Sequence, residues 1–349
     1  MTDDAHDQPV ATALEESIAH HSVRLGNLCD KTSLASSVKN YVYEIHVDFF
    51  YFLLISSGKP NDKDEQDRLD LVGQPVSPLW LFILWLWLIM QSYHIYNLCL
   101  GGELHRAPLK NPQKVLDLGT GTGIWAIDFA ETDSVDSMNP QAEVIVSHMP
   151  IVRVPPNCRF EIDNFEEEWN FSRPFDFIHG RELEGSIRDH DRLFAQCFRN
   201  LSPEGFLEMK SMQVEFSSDD GTHTKAEHFS KVVDLIHEAA NKFGKSMATI
   251  TTWKERMEKA GFKNVKQETY KLPHGSWPKD PKPKEIGIYH QHNTLDAMGP
   301  YTYALLTRYL NWKREEVEVL LTGARKEIKD PSIHSYSNLY VIYGQKPED

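Results

Sequence analysis

Val115-Leu116-Asp117-Leu118-Gly119-Thr120-Gly121-Thr122-Gly123 is the stretch whose reading decides the fold. An apolar run ends on an acid, three glycines alternate with threonine, and an amphipathic run starts at Ile124. That order predicts a strand, a tight turn and a helix. Glycine at every second position leaves room for a ligand that a Cβ would push away. The helix behind the turn offers unpaired N–H groups at its start. The spacing separates this turn from two other nucleotide loops. A dinucleotide fingerprint needs a third glycine where Ile124 stands, and a phosphate-gripping loop needs a Gly-Lys-Ser/Thr run that is absent here.

Strand and helix signals alternate downstream. Lys114 to Leu118, Glu143 to Ser147, Cys158 to Ile162 and Phe175 to His179 read as four strands, and Phe206 to Met209 opens a fifth. Trp125 to Glu131 and Arg188 to Asn200 read as helices, the latter with Leu193, Phe194, Cys197 and Phe198 on one stripe. Leu201 to Gly205 reads as a turn. This alternation predicts an α/β fold with a doubly wound, mostly parallel sheet. His223 to Phe243 and Thr252 to Ala260 are expected helices, and Gly261 to Leu272 and Asn338 to Gly344 the last two strands. Pro273 to Ser337 lies between them and is too long for a hairpin turn. It carries a Pro/Lys-rich segment, Pro278 to Lys284, then an expected helix from Trp312 to about Ile328, and it reads as a lid over the substrate.

The bulk numbers narrow the partners. The 349 residues are 40% apolar and 25% charged, as in an ordinary globular protein. A net charge of −14 repels phosphate backbones, so no nucleic-acid partner is expected. Cys29, Cys99, Cys158 and Cys197 form neither a metal knuckle nor a disulfide framework, and no metal site is expected. Residues 1–30 are expected to be a disordered tail: Met1 to His21 is polar and acidic, without the basic-then-apolar profile of a signal peptide. The expected location is the cytoplasm.

Several strings carry a resemblance. They are Gly101-Gly102-Glu103-Leu104-His105-Arg106-Ala107-Pro108, the glycine motif running into Ile124-Trp125-Ala126-Ile127-Asp128, and Val154-Pro155-Pro156-Asn157-Cys158-Arg159-Phe160. Phe175-Asp176-Phe177-Ile178-His179-Gly180-Arg181, Gly185-Ser186-Ile187-Arg188-Asp189, and Lys271-Leu272-Pro273 with Trp277 follow. Trp312 to Leu321 and Tyr340-Val341-Ile342-Tyr343-Gly344 complete the set. Through them the chain resembles the fungal LaeA-like (UMTA-type) class I S-adenosylmethionine (SAM) methyltransferases, over roughly Asn61 to Leu71 and then Tyr93 to the C-terminus. The resemblance implies a Rossmann-like sheet with an antiparallel last strand, SAM as methyl donor, and a small-molecule acceptor in secondary metabolism. Some members of the family regulate such pathways. The alternative is therefore a weakly catalytic or non-catalytic regulator working through protein partners, with a nuclear location, although no compact basic localisation run is visible.

The resemblance also assigns residues. Gly119, Gly121 and Gly123 would form the turn under the methionine half of SAM, and Asp117 would orient its ammonium. Relatives end the second strand on an acid that holds both ribose hydroxyls. Here Val144-Ile145-Val146-Ser147-His148-Met149-Pro150 puts Ser147 or His148 at that position. Losing a charge-assisted pair of hydrogen bonds costs about 1.5–3 kcal/mol, roughly ten- to a hundredfold in affinity. Asp163 and Asn164 stand where relatives meet the adenine amino group. His179 and Glu182, after the fourth strand, are the candidates for a base, with a structural histidine and a helix-start acid as the alternative readings. Trp277, Tyr289 and Tyr301 are candidate walls of an acceptor pocket.

Two N-terminal stretches depart from the family. A polar Asn-Gly-Arg-Arg-Tyr-His segment of relatives is replaced by Ile45-His46-Val47-Asp48-Phe49-Phe50-Tyr51. About twenty additional residues, near Val72 to Ser92, interrupt an expected cover formed by residues 31–102. They include Leu79 to Met90, an unbroken apolar run with three tryptophans, short of the ~20 residues that a membrane span needs. Translated intron sequence, a membrane-associating element and a buried helix pair all stay open for it. The methyltransferase domain is expected over residues 103–349, with its lid at 273–337.

Overall fold

The computed structural model describes residues 91–132, 143–146, 155–160 and 164–348. The N-terminal tail, the Leu79–Met90 run, Ser147, His148 and Asp163 lie outside the described residues. Seven strands form one sheet in the order β3-β2-β1-β4-β5-β7-β6. They are β1 Lys114–Leu118, β2 Glu143–Val146, β3 Cys158–Phe160, β4 Phe175–Arg181, β5 Leu201–Met212, β6 Lys263–Pro273 and β7 Tyr336–Gln345. β1 to β5 pair in parallel, and β7 runs antiparallel between β5 and β6. This is the class I methyltransferase order, and the antiparallel strand is the last, as expected.

Alternation of side chains across the pleat divides the apolar residues between two faces. Val115, Phe177 and Tyr343 join Trp125 and Phe129 of helix α2 (Ile124–Glu131) on one face. Leu116, Ile178 and Ile342 join α3 (His190–Asn200) and α5 (Trp253–Ala260) on the other, through Leu193, Phe194, Cys197, Trp253 and Met257. The short apolar clusters Val115-Leu116 and Phe177-Ile178, flanked by turn signals, mark β1 and β4 in the sequence, and both strands are buried on both faces. Residues 91–100 (α1) are helical and lay Ile95, Tyr96 and Cys99 against Leu272, Ile286, Tyr289 and Leu339. Among the described residues no helix is long and apolar enough to cross a membrane.

Two stretches differ from expectation. Leu201 to Gly205 does not end before a strand but lies within β5: two steps along β4, Phe175 to Phe177, match five along β5, Leu201 to Phe206. The turn residues loop out of the register there, with Glu204 at φ +61°. The larger difference is α6, Pro281–Tyr309, in the stretch read as a Pro/Lys-rich segment and lid. Its prolines do not forbid a helix. Pro281 sits in the first turn, where a missing N–H costs nothing, and Asp280 caps that turn by accepting from Lys282 N at 3.1 Å. Pro300 is carried further along. α6 packs with α4 (Glu227–Phe243) and α7 (Arg314–Lys329) through Phe229, Val232, Leu306, Val317 and Leu321. These three helices make a second apolar cluster beside the sheet.

Candidate active site

Parallel pairing places Asp117 of β1 beside His179 of β4, and His179 beside Glu208 of β5. Neighbouring strands lie about 4.8 Å apart, so like-facing side chains in one row touch. Asp117 Oδ1 is 2.7 Å from His179 Nδ1, and both residues are buried. Burial pushes the Asp117 carboxyl up to about 7, against the pull of the Arg181 and Lys210 charges. Burial also holds His179 well below the ordinary imidazole value, helped by the nearby Lys210 and Arg181 charges. The indole of Trp125 lies flat on His179, 3.6 Å between centroids and 10° between planes.

The Gly101–Pro108 string is fastened to the same row. Trp125 Nε1 donates to Leu104 O at 2.9 Å, and Lys210 Nζ donates to that carbonyl at 2.5 Å. Lys210 also pairs with Glu208 at 2.9 Å, both buried. The second Glu208 oxygen accepts from Arg106 N at 2.7 Å and Ala107 N at 2.6 Å. A buried ion pair survives only when its remaining valences are met by such bonds.

Beyond the end of β4 the chain turns sharply. Glu182 has φ +56°, uncommon for a residue with a Cβ, and its N–H donates to Lys210 O at 2.9 Å. Its carboxylate accepts from Tyr96 Oη, from Met212 N at 3.1 Å and from Ser211 Oγ at 3.3 Å. Those bonds tie α1 to β5. Arg181 packs its guanidinium against Tyr93 and Tyr96, 5.0 and 5.4 Å from the ring centroids. The buried Glu184 accepts from Ile250 N at 2.5 Å and also from Thr249, while its other oxygen has no protein partner among the described residues. Burial raises its carboxyl to about 7.

Asp117, Trp125, His179, Arg181, Glu182 and Glu184 rim a cavity of about 310 Å³ between the carboxyl ends of β1, β4 and β5 and helices α4 and α6. Open α/β sheets bind ligands at that edge. Asp117, Gly119, Gly121, His179 and Glu182 all line it. Gly119 and Gly121 both have φ +60°. Gly123, φ +79°, caps α2 just behind them. Asn164 is exposed, makes a local turn with Glu166 and Glu167, and does not line the cavity. Of the three aromatics, Tyr301 reaches the cavity. Trp277 donates to Ser335 O, and Tyr289 meets His94 edge-on at 4.4 Å. Glu184, His274 and His290 also line the cavity, and no motif pointed to them. Among the described residues no group of three His, Cys, Asp or Glu side chains is placed to hold a metal.

Comparison with known proteins agrees with this architecture. A methyltransferase-domain family model matches residues 90–267. Methyltransferase pytC of Aspergillus terreus is 36% identical over 90% of this chain and 91% of its own length. The probable methyltransferase tdiE of Emericella nidulans is 32% identical over 73% of this chain and 80% of its own. Secondary metabolism regulator LAE1 of Cochliobolus heterostrophus is 26% identical over 83% and 89%. By sequence, sheet order and the glycine turn alike, the chain belongs to the LaeA-like class I methyltransferases.

Proposed function

We propose that the protein transfers the methyl group of SAM to a small-molecule acceptor of fungal secondary metabolism. The observation that carries this reading is the buried Asp117 beside two left-handed glycines at one rim of the cavity. The methionine half of SAM suits that rim: the Asp117 carboxylate for its ammonium, the Gly119–Gly121 backbone for close approach, and the Arg181 guanidinium for its carboxylate. His179 lines the same cavity, and its Nε2 has no partner among the described residues, so it offers the ligand a hydrogen bond. Ser147, His148 and Asp163 are proposed to meet the ribose and adenine. When bound, SAM supplies a methyl group on a sulfonium, open to in-line attack. The chain's own work is alignment and exclusion of water. Val232, Val233, Ile236 and Met298 give the cavity an apolar wall, suited to a compact, mainly apolar acceptor.

Calorimetric titration with SAM tests the reading. Binding is expected for the wild type and its loss in Gly121→Val, since a β-branched residue at φ +60° blocks the turn. No heat from folded wild-type protein at millimolar SAM overturns it. The likeness to LAE1 favours a second reading, a methyltransferase-fold regulator working through protein partners. In that case Gly121→Val would keep its partners while losing SAM.

A further inference from the structure

The cavity carries a pair of imidazoles that the methyl-donor end does not use. His274 follows β6 and His290 lies in α6, respectively 3% and 6% exposed. Their rings stack with 4.8 Å between centroids and 25° between planes. Burial lowers both, His290 to about 4, so both rings are neutral at neutral pH. A neutral imidazole has one donor and one acceptor nitrogen. His274 engages both: Nδ1 is 3.2 Å from Ser335 Oγ and Nε2 is 3.4 Å from Ser337 Oγ. His290 engages neither, among the described residues, although it lines the cavity.

The backbone is shaped to put His290 there. Gly275 N donates to Gly287 O at 3.2 Å, one turn before His290. A Cβ on Gly287 would lie 2.1 Å from Gly275 O, so only glycine permits this approach. Gln291 Nε2 then donates to Ile328 O at 2.8 Å and to His274 O at 3.4 Å, which fixes the helix next to the pair. Phe229 stands edge-on to His274 at 5.5 Å and also lines the cavity. Between the apolar Phe229, Val233 and Met298 and the polar Asn293 and Thr294, the cavity thus meets an imidazole whose two ring nitrogens both lack a partner among the described residues.

We propose that His290 is a catalytic residue that holds the acceptor by a hydroxyl, and that the acceptor is a compact aromatic or conjugated molecule bearing a phenol or enol. The proposal rests on the methyl-transfer reading above. As the acceptor oxygen forms its bond to the methyl carbon, its O–H bond breaks and the proton passes to a His290 nitrogen. The electron pair of the broken carbon–sulfur bond stays on sulfur, leaving a neutral thioether and a methyl ether. His290 carries the positive charge until it releases the proton to water. His274 is a positioning residue: its serine partners fix its ring, and that ring fixes the plane of His290.

Fluorine NMR with para-fluorophenol and fluorobenzene as probes tests this on the full chain, with SAM titrated in parallel. The phenol is expected to bind about tenfold tighter than fluorobenzene, the worth of one well-made buried hydrogen bond. His290→Phe is expected to erase that preference while keeping fluorobenzene affinity; His290→Gln is the second variant if the first does not fold. With SAM added, the wild type is expected to form para-fluoroanisole, and His290→Gln to form it roughly a hundredfold more slowly. No preference for the phenol, a preference that survives in the variants, or no para-fluoroanisole from a SAM-binding wild type overturns the proposal. Absent SAM binding with the phenol preference intact defeats the methyl-transfer reading instead and leaves the hydroxyl site standing.

Discussion

Replacing His179 by Phe isolates the electrostatics of the Asp117–His179 pair. The variant keeps an aromatic ring against Trp125, now 3.6 Å away, and removes the partner 2.7 Å from Asp117. In the wild type the two shifts oppose each other. Burial raises Asp117 to about 7, so its contribution to stability is full below the unfolded value near 4 and is lost as pH rises through 7. Burial depresses His179, so its contribution is lost as pH falls below the unfolded value near 6.5. Between about pH 4 and about pH 6.5 the unfolded chain holds one proton on this pair, on histidine, and the native pair also holds one. The pair therefore gives no slope there. In His179→Phe the unfolded chain holds none and native Asp117 still holds one. Stability then falls by about 1.4 kcal/mol per pH unit, or about 2 kcal/mol between about pH 5 and about pH 6.5. Urea denaturation of both proteins at the two pH values reads this difference directly. A deficit that is the same at both, within about 0.5 kcal/mol, refutes the proton count.

Three further outcomes follow from the same geometry. If Asp117 must ionise to meet the SAM ammonium, SAM affinity weakens roughly tenfold per pH unit below about 7 and binding releases a proton; calorimetry in buffers of different ionisation enthalpy detects it. Glu208→Ala strands the buried Lys210 ammonium and two backbone N–H groups, and is expected to cost about 3–5 kcal/mol by denaturation, with Glu208→Gln/Lys210→Met losing far less. Gly287→Ala must drive α6 away from the segment after β6, and is expected to cost about 1–3 kcal/mol in urea and to weaken para-fluorophenol binding along with it.

The strands around the glycine turn were legible because short β-prone clusters, Val115-Leu116 and Phe177-Ile178, recur between turn and helix signals, and alternating glycine marks the close turn after the first of them. α6 was not legible, for a physical reason. It faces a cavity instead of a plain core, so His290, Asn293 and Thr302 are buried where an apolar stripe belongs. Pro281 and Pro283 look like breakers unless the Asp280 cap is known. His274 and His290 were silent because their meaning lies in a contact between β6 and α6 that no local pattern encodes. Glu182 looked like a candidate base from its place after β4, but its carboxylate already serves Tyr96, Ser211 and Met212.

Three of the strings that carried the family resemblance look unrelated in sequence, yet in space they share one network. Asp117 bonds to His179, His179 lies on Trp125, and Trp125 donates to Leu104 O. Lys210 shares that carbonyl and pairs with Glu208, which in turn holds Arg106 and Ala107. The Gly-Gly-Glu-Leu-His-Arg-Ala-Pro string, the Trp125 helix and the His-Gly-Arg strand end therefore constrain one another across the buried row that underlies the Asp117 end of the cavity. Loss of Glu208 or Lys210 from this row leaves a buried polar partner unpaired, which is costly away from bulk water. Asp117 is thus held from the sheet side, through His179 and the Trp125–Leu104 and Lys210–Glu208 contacts behind it, while the far wall of the cavity is held separately, by the Gly275–Gly287 contact that seats α6.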